Sequence, residues 1–368
     1  MTAAIVGEPW DSTNSISVSD VLSRGTAMAR NHLISAARVQ ENAGQLWNGA
    51  LIRGGGCDAQ FTDFALHRLG SSAPWELVDY LLDWDGYYQS GGLLLKDCTL
   101  ARCNAVVYGS SGGLIVSLVN NIVSDSYLFA DRAPSAWCNP CLYGNFDSGM
   151  PDEYTGYLYR PTTVTVLNNF IRGTSVGFYN NTDPITLAAG EIHNNLVDAG
   201  QLYVSDFTGV SADHNAFTGT GPASVDTEGN VTGLTLDFVP GPLGGYYYPT
   251  TGNNLATLIN AGDASAADRG FFHYTTAVNQ TLEGSSTIDI GPHYMALDAV
   301  GNPPDFDGDT LADYFEDSNG NGTFEANLDL SDYRNADSDG DGLPDNYEYF
   351  ITHTDPAHVL TWPYLEPV

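Results

Sequence analysis

The sequence predicts an all-β chain in two parts: a long coil of short stacked strands, then a small domain of acidic loops. Three observations carry that prediction. An Asn-centred string recurs at coil-like spacing, a 32-residue acidic repeat lies near the C-terminus, and helical periodicity is almost missing between residues 43 and 300. Forty Gly and 21 Tyr agree, since they describe turn-rich β-structure better than packed helices.

The 368 residues can bury a large core. In chain order, residues 1–42 are unassigned, 43–300 form the coil, 301–356 the acidic repeats and 357–368 a tail. Within 1–42, SVSDVLSRGTAMARNHLISAARVQENAG suits either a capping helix or early coils. The opening MTAAIVGEPWDSTNS has neither the basic stretch nor the apolar run of an export signal. Beside the exported look of the rest, this suggests an internal start or a fragment of a longer secreted protein. No segment approaches the ~20 apolar residues of a membrane-spanning helix.

The coil follows from VNNIV (Val119 to Val123), LNNFI (Leu167 to Ile171), HNNLV (His193 to Val197) and DHNAF (Asp213 to Phe217). Cys98-Thr99-Leu100 fits the same frame, 23 residues before Asn121-Ile122-Val123. The step from Asn121 to Asn169 is 48 residues, two turns' worth, and the later steps are 26 and 20. Units this short cannot bury their own apolar faces and must stack. Stacking places Ile122, Ile171 and Val197 in one interior column. It places Asn121, Asn169, Asn195 and Asn215 in an amide ladder at a tight turn, where Asn tolerates left-handed backbone. Turns of an ordinary β-sandwich do not normally repeat one string at this spacing.

The acidic repeat reads DFDGDTLADYFE from Asp305 to Glu316 and DSDGDGLPDNYE from Asp337 to Glu348. Carboxylates fall at loop positions 1, 3, 5, 9 and 12: Asp305, Asp307, Asp309, Asp313 and Glu316, then Asp337, Asp339, Asp341, Asp345 and Glu348. That is the ligand spacing of a twelve-residue calcium loop, in which Leu311 and Leu343 at position 7 would offer backbone carbonyls. Five carboxylates crowded into one loop repel unless a hard divalent cation lies among them. A solvated acidic tail would not be periodic or alternate with Gly, Leu, Tyr and Phe. Thr310 holds position 6 of the first loop, where the second has Gly342. A β-branched residue resists positive φ, so the first loop is expected to turn differently or bind more weakly. Between them DSNGNGTFEANLD keeps Asp317, Asn319, Asn321 and Glu325 in phase, without a position-12 Glu. It suggests a weaker or shared site that draws on Asp329 or Asp332.

The net charge is −33, of which residues 305 to 355 supply −14 through fifteen acids and one Arg, Arg334. Such a surface repels nucleic acid and anionic membranes and suits calcium-rich surroundings outside a cell. Cys138 and Cys141 form a CNPC pair without a second CxxC or His pair to complete a zinc site, which points to a loop disulfide. Cys98 and Cys103 read as buried thiols, and Cys57 is left over. His193 and His214 occupy nearby frames on successive coils, as stacked turn residues or a metal pair.

At this point two resemblances can be stated. Residues 90–300 resemble secreted bacterial right-handed parallel β-helix proteins of the pectate-lyase-like architecture, and IDIGPHY (Ile288 to Tyr294) is similar to the motif that often closes such coils. Residues 305–356 resemble the thrombospondin type 3-like calcium repeats of bacterial surface proteins, down to Thr354-Asp355-Pro356. Together they imply a right-handed parallel β-helix followed by a small calcium-loop repeat domain, Ca2+ as a structural cofactor, and an extracellular or cell-surface location. The implied work is adhesive or architectural, with glycan binding or self-association through the coil's faces. Gly245-Tyr246-Tyr247-Tyr248-Pro249 and Gly86-Tyr87-Tyr88 are the places for contact with a glycan or partner, or else their Tyr pack over coil edges. The alternative is a carbohydrate-active enzyme, a polysaccharide lyase or glycoside hydrolase. Its candidates are few: Lys96, Asp97 and Arg102 on one coil, and Asp152 and Glu153 among Tyr154, Tyr157, Tyr159 and Arg160.

Overall fold

The computed structural model describes residues 20–34, 50–53, 56–65, 80–85, 91–101, 104–108, 114–124, 127–129, 141–145, 163–173, 175–179, 185–205, 207–221, 228–251 and 254–359. They fall into two compact units: residues up to Leu236 with Ile290–Pro292, and Asp237–Asp289 with His293–Val368.

The first unit is a parallel coil. Successive turns feed three seven-stranded sheets, the third taking two strands in a row, Tyr127–Phe129 and Cys141–Asn145, before the first sheet resumes. The first sheet joins Asp20–Arg24, Gly56–Gln60, Gly91–Lys96, Leu114–Val119, Thr163–Leu167, Ile185–His193 and Phe207–Ser211. The second joins Asn31–Ile34, Thr62–Ala65, Thr99–Ala101, Ile122–Ser124, Phe170–Arg172, Leu196–Asp198 and Ala216–Phe217. The third runs from Ala50–Arg53 to Gln201–Ser205, and its pairings are parallel too. Asp20–Arg24 and Asn31–Ile34 pair with the following turn, so this stretch of the N-terminal region is coil and not a capping helix.

Register explains the core. Cys57, Leu93, Val116 and Val164 stack in one inward column of the first sheet, and Ala59, Leu95, Leu118, Val166 and Ile192 in the next. In the second sheet Phe64, Leu100, Val123, Ile171, Val197 and Phe217 form a column of fully buried side chains. Ile122 does not belong to it. It pairs with Thr99 and Phe170, and Val123 takes the interior place beside Ile171. Strand side chains alternate between faces, so a one-residue phase error changes the residue that enters a column.

Two adjacent columns make the turn between the first and second sheets. Phe61, Asp97, Asn120, Asn168, Asn194 and His214 all have φ between 46° and 60°. The residues after the last four are Asn121, Asn169, Asn195 and Asn215, each buried. Asn121 N–H donates to Asn169 Oδ1 at 2.9 Å, Asn169 N–H to Asn195 Oδ1 at 3.0 Å, and Asn195 N–H to Asn215 Oδ1 at 3.0 Å. Each ladder amide also donates back to the preceding turn, at 2.8–2.9 Å to Leu95, Leu118, Val166 and Ile192 oxygens. The first residue of each pair, Asn or His214, therefore supplies the left-handed turn and the second, always Asn, the ladder. Cys98 stands in a ladder position and points its thiol at Ala59 O, 3.4 Å away. Gly291, inside the IDIGPHY string, donates to Asn194 O at 2.8 Å and so belongs to this turn.

The second unit is mostly irregular. It holds an antiparallel pair, Tyr274–Thr275 with Tyr294–Met295, and short helices at Asp313–Glu316 and Asp345–Tyr347. Leu255, Leu258, Ala266, Phe271, Ile288 and Met295 fill its core. Tyr247 and Tyr248 are buried there as well, with Tyr247 stacked on Tyr294 at 4.3 Å. These two rings pack inside the unit, while Tyr246 of the same run is half-buried. Gly86-Tyr87-Tyr88 lies outside the described residues.

Candidate metal centre

The two acidic repeats fold alike, residue for residue. In each, the first Asp turns back on its own loop: Gly308 and Thr310 N–H donate to Asp305, as Gly340 and Gly342 N–H donate to Asp337. The third residue accepts from the fifth and the fifth from the seventh: Asp309 N–H to Asp307 and Leu311 N–H to Asp309, then Asp341 N–H to Asp339 and Leu343 N–H to Asp341. Asp favours such side-chain turns because its carboxylate reaches backbone N–H groups two and more residues on. Asp313 and Asp345, at position 9, fasten position 2, accepting from Phe306 N–H at 2.7 Å and Ser338 N–H at 2.8 Å.

Thr310 corrects the first of the two expected outcomes, a different turn in the first loop. Its φ is +86°, beside +96° at Gly342, and its N–H makes the same bond to the first Asp. The first loop turns as the second does and carries the strain of a β-branched residue in left-handed space.

The carboxylates converge in three groups, each with one oxygen per residue within 4.8 Å of the others: Asp305, Asp307 and Asp309; Asp337, Asp339 and Asp341; and Asp309, Glu316 and Asp345. Spacing alone missed the third group, which spans both repeats. Asn346 draws the repeats together by donating its N–H to Asp309 at 3.0 Å and its amide to Asp309 O. Glu316 and Asp345 are fully buried.

Besides Asp237 Oδ1, four carboxylate oxygens are buried without a hydrogen-bond partner among the described residues, all in these loops: Asp307 Oδ2, Glu316 Oε2, Asp339 Oδ2 and Glu348 Oε2. They occupy positions 3 and 12 of each loop. The other oxygen of each Glu is held by a hydroxyl, Ser331 to Glu316 Oε1 at 2.9 Å and Thr354 to Glu348 Oε1 at 2.8 Å. Burial first, and then neighbouring carboxylates, push Glu316 up to about 8 and Asp307 up to about 6. Burial also raises Asp313, Asp345 and Glu348. An all-oxygen donor set with orphaned acceptors fits a hard cation such as Ca2+, and the groups contain no thiolate or imidazole to favour zinc.

The middle loop repeats the backbone pattern with other partners. Gly320 and Gly322 N–H close on Asp317, but Asp317 Oδ2 also takes His273 Nε2–H at 2.7 Å. The amides of Asn319 and Asn321 donate to Glu325 at 2.9 and 3.1 Å. Asp329 accepts from Glu325 N–H and Asn319 N–H, and Asp332 accepts from Arg334 N–H.

The remaining candidates that are described lie in the coil. His193 and His214 both turn Nδ1 to Asp213 Oδ1, at 2.7 and 2.8 Å, so a carboxylate joins them. Asp97 is a turn residue whose carboxylate accepts from Asn120 at 2.7 Å. Cys57 and Cys98 are buried free thiols, pushed up to about 12 by burial. Cys103, Cys138, the side chain of Cys141, Arg102 and residues 152–160 lie outside the described residues. Comparison with protein-family models, with curated proteins and with solved structures returns no match.

Proposed function

We propose that this chain is an extracellular, calcium-binding architectural protein, a right-handed parallel β-helix carrying thrombospondin type 3-like repeats that calcium makes rigid. Such repeats suit a bacterial surface or matrix protein, and the stacked sheets, repeating at ~4.8 Å, suit adhesion, glycan binding or self-association. The observation that carries the reading is the set of orphaned buried oxygens at positions 3 and 12 of both loops. Buried carboxylates without partners are costly, and a divalent cation would satisfy these oxygens while neutralising their charge. Asp305, Asp307, Asp309, the Leu311 carbonyl and Glu316 would hold one ion. Asp337, Asp339, Asp341, the Leu343 carbonyl and Glu348 would hold another, with Asp345 spanning the repeats. Because these loops have so little apolar burial, the free energy of calcium binding becomes folding free energy.

Calorimetric titration of the chelated chain with calcium, followed in parallel by circular dichroism, tests this reading. At least two bound ions and ordering of residues 305–356 are expected. An athermal titration with an unchanged spectrum would reduce the acidic periodicity to a solvated segment.

A further inference from the structure

The middle loop differs from its neighbours in the side chains at positions 3, 5 and 12 and in the partners of the Asp at position 1. In the flanking loops the position-3 side chain spends one oxygen on a backbone N–H and buries the other without a partner among the described residues. In the middle loop Asn319 Oδ1 accepts from Asn321 N–H at 2.9 Å, and its Nδ2 donates to Glu325 Oε2 at 2.9 Å. Asn321 does the same, with Oδ1 on Thr323 N–H at 2.7 Å and Nδ2 on both Glu325 oxygens at 3.1 Å. A backbone N–H can only donate and a carboxylate only accepts, so these partners fix both amides with N–H, not oxygen, toward Glu325. Asp317 is saturated: Oδ1 accepts from Gly320 and Asn321 N–H, and Oδ2 from Gly322 N–H and His273 Nε2–H. Position 12 is Leu328, 65% exposed.

Packing separates the loops in the same way. A Cβ at Gly320 would lie 2.4 Å from Gly270 O, and one at Gly322 would lie 2.4 Å from the Phe272 ring. At Gly308, Gly340 and Gly342 a Cβ would meet open space. Phe272 N–H donates to Gly320 O at 2.9 Å, while Gly322 O receives Tyr333 Oη–H at 3.1 Å and Arg334 Nη2 at 2.7 Å. The one Arg of the acidic segment is thus spent on this loop.

We propose that the middle loop is closed by the protein itself rather than by a metal ion, and that His273 is the residue that fastens it. The acidic segment is then a mixed array, with calcium-closed loops on either side of a loop pinned to residues 270–273. The inference rests on the calcium reading of the flanking loops.

Equilibrium dialysis of the full chain against calcium tests it. Asp305→Asn and Asp337→Asn are each expected to lower the bound calcium by about one ion per chain. Glu325→Gln, a mild change on the middle loop, is expected to leave the count at the wild-type value. His273→Ala should lower the melting temperature of the calcium-saturated protein without changing the count, and His273→Gln, which keeps an N–H donor, should restore part of that loss. A count that falls with Glu325→Gln as it does with Asp305→Asn would overturn the proposal. A wild-type chain that takes up no calcium would overturn the calcium reading itself, and this inference with it.

Discussion

The amide ladder makes a sharp demand on Asn169. Its side chain is buried and takes part in four hydrogen bonds: it accepts from Asn121 N–H and Asn121 Nδ2, and it donates to Leu118 O and Asn195 Oδ1. Truncation to Ala removes all four and leaves Asn121 N–H as an orphaned buried donor. An unsatisfied buried group costs about 1–3 kcal/mol and each lost neutral bond about 1 kcal/mol, so Asn169→Ala should destabilise the coil by about 3–5 kcal/mol. The neighbour is the control. Asn168 supplies a φ of +54°, and its side chain bonds at 3.4 Å to Gly291 O and at 3.4 Å from Asn194. Gly accepts that backbone without a steric penalty, so Asn168→Gly should cost less than Asn169→Ala. Urea unfolding of both variants in saturating calcium, read by far-ultraviolet circular dichroism, gives the comparison. If Asn169→Ala loses less than Asn168→Gly, the division of labour between the two columns is wrong.

Cys98 occupies a ladder position with its thiol on Ala59 O, so Cys98→Asn should extend the ladder by one turn and raise the urea midpoint. An unchanged or lower midpoint would mean that the neighbouring turn cannot seat an amide. Thr310→Gly relieves a β-branched residue at φ +86° and should stabilise the first loop by about 1 kcal/mol, seen as tighter calcium binding by calorimetry. Burial raises Cys57 and Cys98 from 9.0 to about 12, so the folded state holds their protons longer than the unfolded chain. The stability this represents is fully present below pH 9 and is lost as pH rises toward 12, at about 1.4 kcal/mol per pH unit for each thiol. Denaturant midpoints between pH 8 and 11 should fall accordingly, and both thiols should resist aqueous alkylating reagents at pH 8 until the coil unfolds.

The coil was legible because stacking forces identity. A turn that places an amide above an amide must repeat Asn at each level, so Asn121, Asn169, Asn195 and Asn215 announced both the turn and its step. The interior column was harder to phase. Counting from the Asn pair selects Ile122, whereas counting from the ladder residue selects Val123, and strand alternation makes that one position the difference between core and flank. The acidic loops were legible for a related reason: Asx turns at positions 1, 3 and 5 require the same short acidic side chains in both flanking copies.

What spacing could not show was contact between distant residues. Asp345 sits at position 9 of its own loop and also closes on Asp309 and Glu316, because Asn346 ties the repeats across 37 residues of sequence. His273 lies 44 residues before Asp317, in a stretch with no periodicity to mark it. Both act where a charge has to be answered, and sequence periodicity records the charge without recording its partner. The orphaned oxygens and the satisfied amides make that distinction visible. Where a loop's acceptors end in a buried oxygen without a partner, a cation is a partner that would satisfy it. Where they end on His273 Nε2–H and the amides of Asn319 and Asn321, the protein has supplied its own donors, and a metal ion there would have to displace them.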